Sequence, residues 1–169
     1  MSLERNDYRG LRRAFIAACE AARIDAIARL HPARGPDGGL LFMDCAALGP
    51  RLASRAVLVL TNDAAGSGLV TALLRDRVRP PGGARLVLVH ALDPAALAGV
   101  DGEPGWPDAM LRAVAAEDLS KVTRLTVLDL TGRGLEAALA AAMPAAIIQI
   151  TELSSSDAAQ AVRDALAAI

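Results

Sequence analysis

Aromatic residues are nearly missing from this chain, which has one Trp, one Tyr and two Phe among 169 residues. Base-stacking platforms and aromatic cages for sugars or methylated ammonium groups therefore lack their material. Charge of either sign is not in excess: 18 Lys and Arg meet 19 Asp and Glu, for a formal net charge of -1. Phosphate backbones are held by a concentrated surplus of cations, so nucleic acid is excluded as a partner. Two cysteines, Cys19 and Cys45, are too few for a disulfide framework. Both sit in apolar surroundings where reduced thiols are commonly buried, which fits a reducing cytoplasm. Met1 to Arg13 carries charge throughout and has no apolar core, so no signal peptide is expected. The longest apolar stretch, Leu135 to Ile150, is broken by Glu136, Pro144 and Gln149, short of the roughly 18 to 20 residues a membrane span needs. No membrane span is expected.

What is abundant is aliphatic: 53% of the residues are hydrophobic and 22% charged, the balance of one compact domain over residues 1–169. Leu11, Phe15, Cys19, Ala22 and Ile27 recur at near-helical spacing and predict one amphipathic helix from Asp7 to Leu30, ended by His31-Pro32. Gly35-Pro36-Asp37-Gly38-Gly39 then reads as a turn into a short strand, Leu40 to Asp44. Ala56 to Thr61, Arg85 to His90, Leu125 to Leu130 and Ala145 to Thr151 are dense in Val, Leu and Ile and suit buried strands. Helical patterns fall between them at Gly68 to Arg77, Asp108 to Leu119 and Leu135 to Met143, and Ser156 is placed to cap a last helix ending at Ile169. Such alternation predicts an α/β three-layer sandwich, its mostly parallel, mixed central sheet flanked by helices. The loop Val100 to Pro107, rich in Gly and Pro, reads as an irregular connector.

Several short strings carry a family likeness: His31-Pro32, Gly35-Pro36-Asp37-Gly38, Asp44, Leu48-Gly49-Pro50, Val57-Leu58-Val59-Leu60 and Val89-His90-Ala91-Leu92-Asp93-Pro94. Together they resemble a bacterial branch of the zinc carboxypeptidase-like superfamily whose function is uncharacterised. The resemblance covers Phe15 to about Gly99, with a weaker echo at Leu128-Asp129-Leu130-Thr131-Gly132-Arg133-Gly134. It implies a zinc site built from His and Glu of one loop and a His of a later strand, leaving one position open for water. This chain departs at each of those points. After Leu60 it reads Thr61-Asn62-Asp63-Ala64-Ala65-Gly66-Ser67-Gly68, a shortened loop without the ligands, and Leu130 runs straight into Thr131. The residue that corresponds to the general-base glutamate is Gln149, whose amide cannot take a proton from water. No catalytic residue, metal ligand or cofactor is therefore assigned.

The polar residues that remain define a candidate ligand pocket: Asp63, Gly66, Ser67, His90, Asp129 and Gln149. Ser67, His90 and Asp129 fall at or just beyond strand ends, where open α/β sheets place their sites, so a hydrolytic triad is one reading. Ala65-Gly66-Ser67-Gly68-Leu69 is not the Gly-x-Ser-x-Gly elbow, however, and His90 is read as structural, one ring nitrogen bonded to a backbone carbonyl. His31 is read as a helix-end residue. Gly66-Ser67-Gly68 opening a helix permits a small anionic ligand at its N-terminus, against the simpler reading of a tight turn. It is not a dinucleotide fingerprint, because the third glycine is replaced by Thr71. The expected function is thus non-catalytic, through binding or assembly, in the cytoplasm and as a homo-oligomer, since a domain this apolar should bury surface against a second copy. The rivals are a hydrolase with an unrecognised site and a nucleotide- or anion-binding protein using the Gly66 loop.

Overall fold

A computed structural model describes residues 7–154 and 156–169. The charged stretch Met1 to Asn6, part of the signal-peptide reading, lies outside the described residues. The first helix, α1 (Tyr8–Ala22), is capped by the Asp7 carboxylate, which accepts from the Gly10 N–H at 3.0 Å. It stops far short of Leu30: Arg23 turns left-handed (φ 57) and its N–H bonds back to the carbonyls of Cys19 and Glu20. The residues expected to continue the helix form strand β1 (Ala26–Arg34), paired antiparallel with β2 (Leu40–Leu48). Antiparallel pairing with the next strand, across the Gly35–Gly39 turn, overrides the helical spacing of Ile27. His31 is therefore a strand residue, not a helix end. Pro32 is tolerated because β1 is an edge strand and the register shifts between His31 and Arg34.

The remaining strands are β3 (Arg55–Leu60), β4 (Ala84–His90), β5 (Arg124–Asp129) and β6 (Ile147–Glu152). One six-stranded sheet results, ordered β1-β2-β4-β3-β5-β6. Its β4-β3-β5-β6 part is parallel and β1-β2 is an antiparallel flank, so the sheet is mixed. Three long crossovers serve the parallel strands: α2 (Ala64–Arg75) joins β3 to β4; the short α3 (Pro94–Ala98) and α4 (Trp106–Asp118) join β4 to β5; α5 (Glu136–Ala142) joins β5 to β6. The last helix, α6 (Ala158–Ala168), is preceded by Asp157 rather than capped by Ser156. Helix α3 was not foreseen; Asp93 caps it through the Ala96 N–H, with Pro94 in its first turn.

Alternation along the strands sorts the core into two layers. Met43, Cys45, Leu58, Leu60, Val87, Val89 and Val127 face α4 and α5, while Ala46, Val57, Val59, Leu86, Leu88 and Leu128 face α1, α2 and α6. Helices thus cover both faces of a mixed sheet, the three-layer sandwich. Among the described residues no helix is long and apolar enough to cross a membrane.

Candidate functional site

The crevice beyond the carboxyl ends of β3, β4 and β5 is where an open sheet of this order places a site, because the chain turns to opposite sides of β3 there. The register puts Val89, Leu60 and Asp129 in one row across the sheet. Val89 and Leu60 point into the α4/α5 layer, so Asp129 shares that face. His90, one residue further along β4, points to the opposite face and stacks on Phe15 of α1, ring centroids 5.0 Å apart. Ser67 is buried in α2. Among the described residues its Oγ, both nitrogens of His90 and Oδ2 of Asp129 have no hydrogen-bond partner, and no bond links the three residues. The sheet itself separates the acid from the imidazole, so the triad is not assembled. The expected bond from His90 to a backbone carbonyl is also absent.

The other candidates have local duties. Asp63 caps α2, its Oδ1 accepting from Gly66 N at 2.6 Å. Gly66 is required by closeness: a Cβ there would lie 2.8 Å from Thr61 Cβ. Asp129 Oδ1 accepts from both N and Oγ1 of Thr131, closing the turn after β5. Gln149 is exposed on the edge strand β6, on Thr126's row, and does not join the others. His31 is buried, accepts from Ala33 N through Nδ1 and sets its ring edge-on to Trp106.

Burial, with the nearby Arg12 charge, pushes His90 down to about 4, so the imidazole is neutral at ordinary pH. Burial likewise raises Cys19 to about 11 and Cys45 to about 12, and neither thiol forms the thiolate a nucleophile needs.

Two sets of residues were not foreseen as partners. Asn62 Oδ1 accepts from Asp93 N at 2.7 Å, Asp93 Oδ2 takes Arg133 Nη2 at 2.7 Å, and Trp106 Nε1 donates to Leu92 O, so the loops after β3, β4 and β5 are stitched together across the crevice. On the α1 face, Arg12 grips Asp44 with two bonds, at 2.7 and 2.9 Å, directly beside His90 on the paired strand. Burial raises the Asp44 pKa and the Arg12 bonds oppose that rise. The signal for the second set was present: Asp44 is a lone carboxylate inside the apolar strand Leu40–Leu48, and a buried charge requires a partner.

Fold and site together define an α/β sandwich with a self-bonded crest at the carboxyl ends of its parallel strands. Residues 5–100 match the family described as a protein of unknown function, DUF2817, and the chain belongs to that family. No curated protein matches it. Among solved structures it is similar to the glutaminyl cyclase of Fimbriiglobus ruber (13% identity over 72% of this chain and 53% of that one, TM-score 0.43). It is also similar to the Porphyromonas gingivalis glutaminyl cyclase (14%, 88% and 69%, TM-score 0.46) and to a putative hydrolase from Bacillus subtilis (14%, 86% and 48%, TM-score 0.43). The chain spans about half the length of the first and third of these proteins.

The zinc that the carboxypeptidase-like resemblance implies does not fit the residues present. Among the described residues no group of three or more His, Cys, Asp and Glu is placed to hold a metal ion. His90 is turned into the α1 layer, and Asp129 lies on the other face with one oxygen committed to Thr131.

Proposed function

We propose that this chain is a non-catalytic member of its family, a carboxypeptidase-like domain without the zinc ligands that works in the cytoplasm through binding and assembly as a homo-oligomer. The observation that carries the reading is the crest: Asn62, Asp93 and Arg133 bond to one another where a substrate would sit, and His90 faces away from Asp129. An anion at the start of α2 would have to compete with the Asp63 carboxylate already there. Assembly is supported by β6, an edge strand whose one charge, Glu152, is at its end and whose Ile147 is 69% exposed. Unprotected edges of this kind invite pairing. A twofold antiparallel pairing centred on Gln149 would set the two amides face to face and Ile148 against Ile150 of the second copy, with no like charges opposed.

The test joins chemistry to mass. A fluorophosphonate probe should leave the protein unlabelled, elemental analysis after dialysis should find well under one zinc per chain, and light scattering should give at least twice 17.4 kDa. Ile147→Lys should return the mass to one chain. Labelling lost in Ser67→Ala would establish a hydrolase instead, and a native mass of one chain would remove the assembly.

A further inference from the structure

At the opposite, amino end of the parallel strands lies a cavity of about 520 Å³ lined by Arg23, Arg51, Arg79 and Arg85, with Asp25 and Asp118 as its acids. The size suits a small molecule, not a macromolecular groove. Its cations come from four places in the chain. Arg23 is the left-handed residue closing α1, Arg51 follows β2, Arg79 precedes β4 and Arg85 lies within β4. The chain as a whole is slightly acidic, so this gathering of arginines is local.

Arg85 is 6% exposed and organises the site. Its Nη2 donates to Asp118 Oδ1 at 2.8 Å and its Nη1 to Gly49 O at 3.0 Å, which ties down the turn that presents Arg51. Its Nε is buried without a partner, and buried donors are normally satisfied. Asp118 is thus already engaged, leaving Asp25 against three exposed arginines. Among the described residues none of Arg23, Arg51 and Arg79 forms an ion pair. Clustered like charges repel, and a counter-charge relieves them. The guanidinium fork matches the paired oxygens of phosphate and carboxylate.

We propose that this cavity binds a small oxyanion of two or more negative charges, held by Arg23, Arg51 and Arg79 over the fixed Arg85. The site is separate from the crest at the other end of the sheet.

Titration of the full chain with pyrophosphate and, separately, with citrate at constant ionic strength tests this by calorimetry and thermal melting. At least one should bind saturably with one ligand per chain and raise the melting temperature by several degrees; the arm that succeeds distinguishes a phosphate from a carboxylate ligand. The variant Arg51→Gln/Arg79→Gln should bind at least about tenfold more weakly, since hydrogen bonds between charged groups are lost. Both residues are exposed, so its unliganded melting temperature should match the native value. Arg13→Gln/Arg163→Gln, which removes the same charge from α1 and α6 outside the cavity lining, should bind like the native protein. The proposal is overturned if neither anion does more than chloride, if the Arg51/Arg79 variant binds unchanged, or if the control variant weakens binding equally.

Discussion

At the carboxyl ends of β3, β4 and β5 the charged side chains answer one another, Asp93 with Arg133 and Asp129 with its own turn, while at the amino ends Arg23, Arg51 and Arg79 form no ion pair among the described residues and surround an open cavity. Each end also has one inner ion pair. Arg85 and Asp118 are both shut away, with side chains 7% and 4% exposed, whereas Arg12 keeps 28% exposure over a fully buried Asp44. The contrast shows that a polar residue at a strand end marks a ligand site only when its bonding capacity is left open. Orphaned atoms remain at the carboxyl ends too, on Ser67, His90 and Asp129, but they are buried and divided between the two faces of the sheet, whereas the arginines of the amino ends line one shared cavity.

The two pairs should break unequally. Asp118→Ala leaves a buried guanidinium with only the Gly49 carbonyl as partner, a loss of about 3 to 5 kcal/mol in stability. Asp44→Ala frees an arginine that already reaches solvent, so about 1 to 3 kcal/mol is expected. Urea denaturation of the two variants checks the order, and equal losses would erase the distinction between the ends.

His90 sharpens the comparison through pH. Its folded pKa, about 4, lies below the ordinary 6.5, so between those values the unfolded chain binds the proton and the folded chain does not. The stability that comes from its neutral burial is complete above pH 6.5 and is lost as pH falls towards 4, by about 3 kcal/mol in all. Asp44, raised by burial, acts in the opposite sense: its contribution is present below 3.8 and fades as pH rises through its folded value. His31, lowered chiefly by burial, acts in the same sense as His90. A His90→Leu variant retains both of those groups, so its stability should fall less steeply between pH 6.5 and 4 than the native protein's. Identical slopes would show that His90 is not held neutral.

Much of the fold was legible because it rests on local patterning. The Val- and Leu-rich strands Arg55–Leu60 and Ala84–His90 are buried on both faces, as continuous apolar runs indicate. Ala26–Arg34 was not legible, since Ile27 suits a helical stripe equally well and only pairing with Leu40–Leu48 makes it a strand. For the candidate site, strand-end positions for His90 and Asp129 could be read from the sequence, whereas Ser67, read as a loop residue, lies within α2. Which face each occupies depends on a register that the sequence does not display, and a shift of one residue decides it. The arginine cavity was invisible for the same reason: Arg23, Arg51, Arg79 and Arg85 are distant in the chain and meet only where α1, the β2 turn and the start of β4 converge.

The smallest effect concerns the two glycines of the α2 start, Gly66 and Gly68. Gly66 lies against Thr61, whose Oγ1 is bonded to Val89 O at 2.9 Å and cannot readily yield. Added at Gly66, a methyl group would also sit 3.1 Å from the capping oxygen of Asp63. Gly66→Ala should therefore cost about 1 to 3 kcal/mol, as overpacking does. At Gly68 an added Cβ meets nothing within 4 Å, and the position is already helical. Gly68→Ala should stabilise by about 0.5 to 1 kcal/mol, because alanine gives up less backbone freedom than glycine on folding. Opposite signs in thermal melting would show that Gly66 is fixed by packing against β3 and Gly68 is not. Two losses of similar size would instead point to a loop whose backbone both glycines must keep free, as a ligand approaching the start of α2 would require.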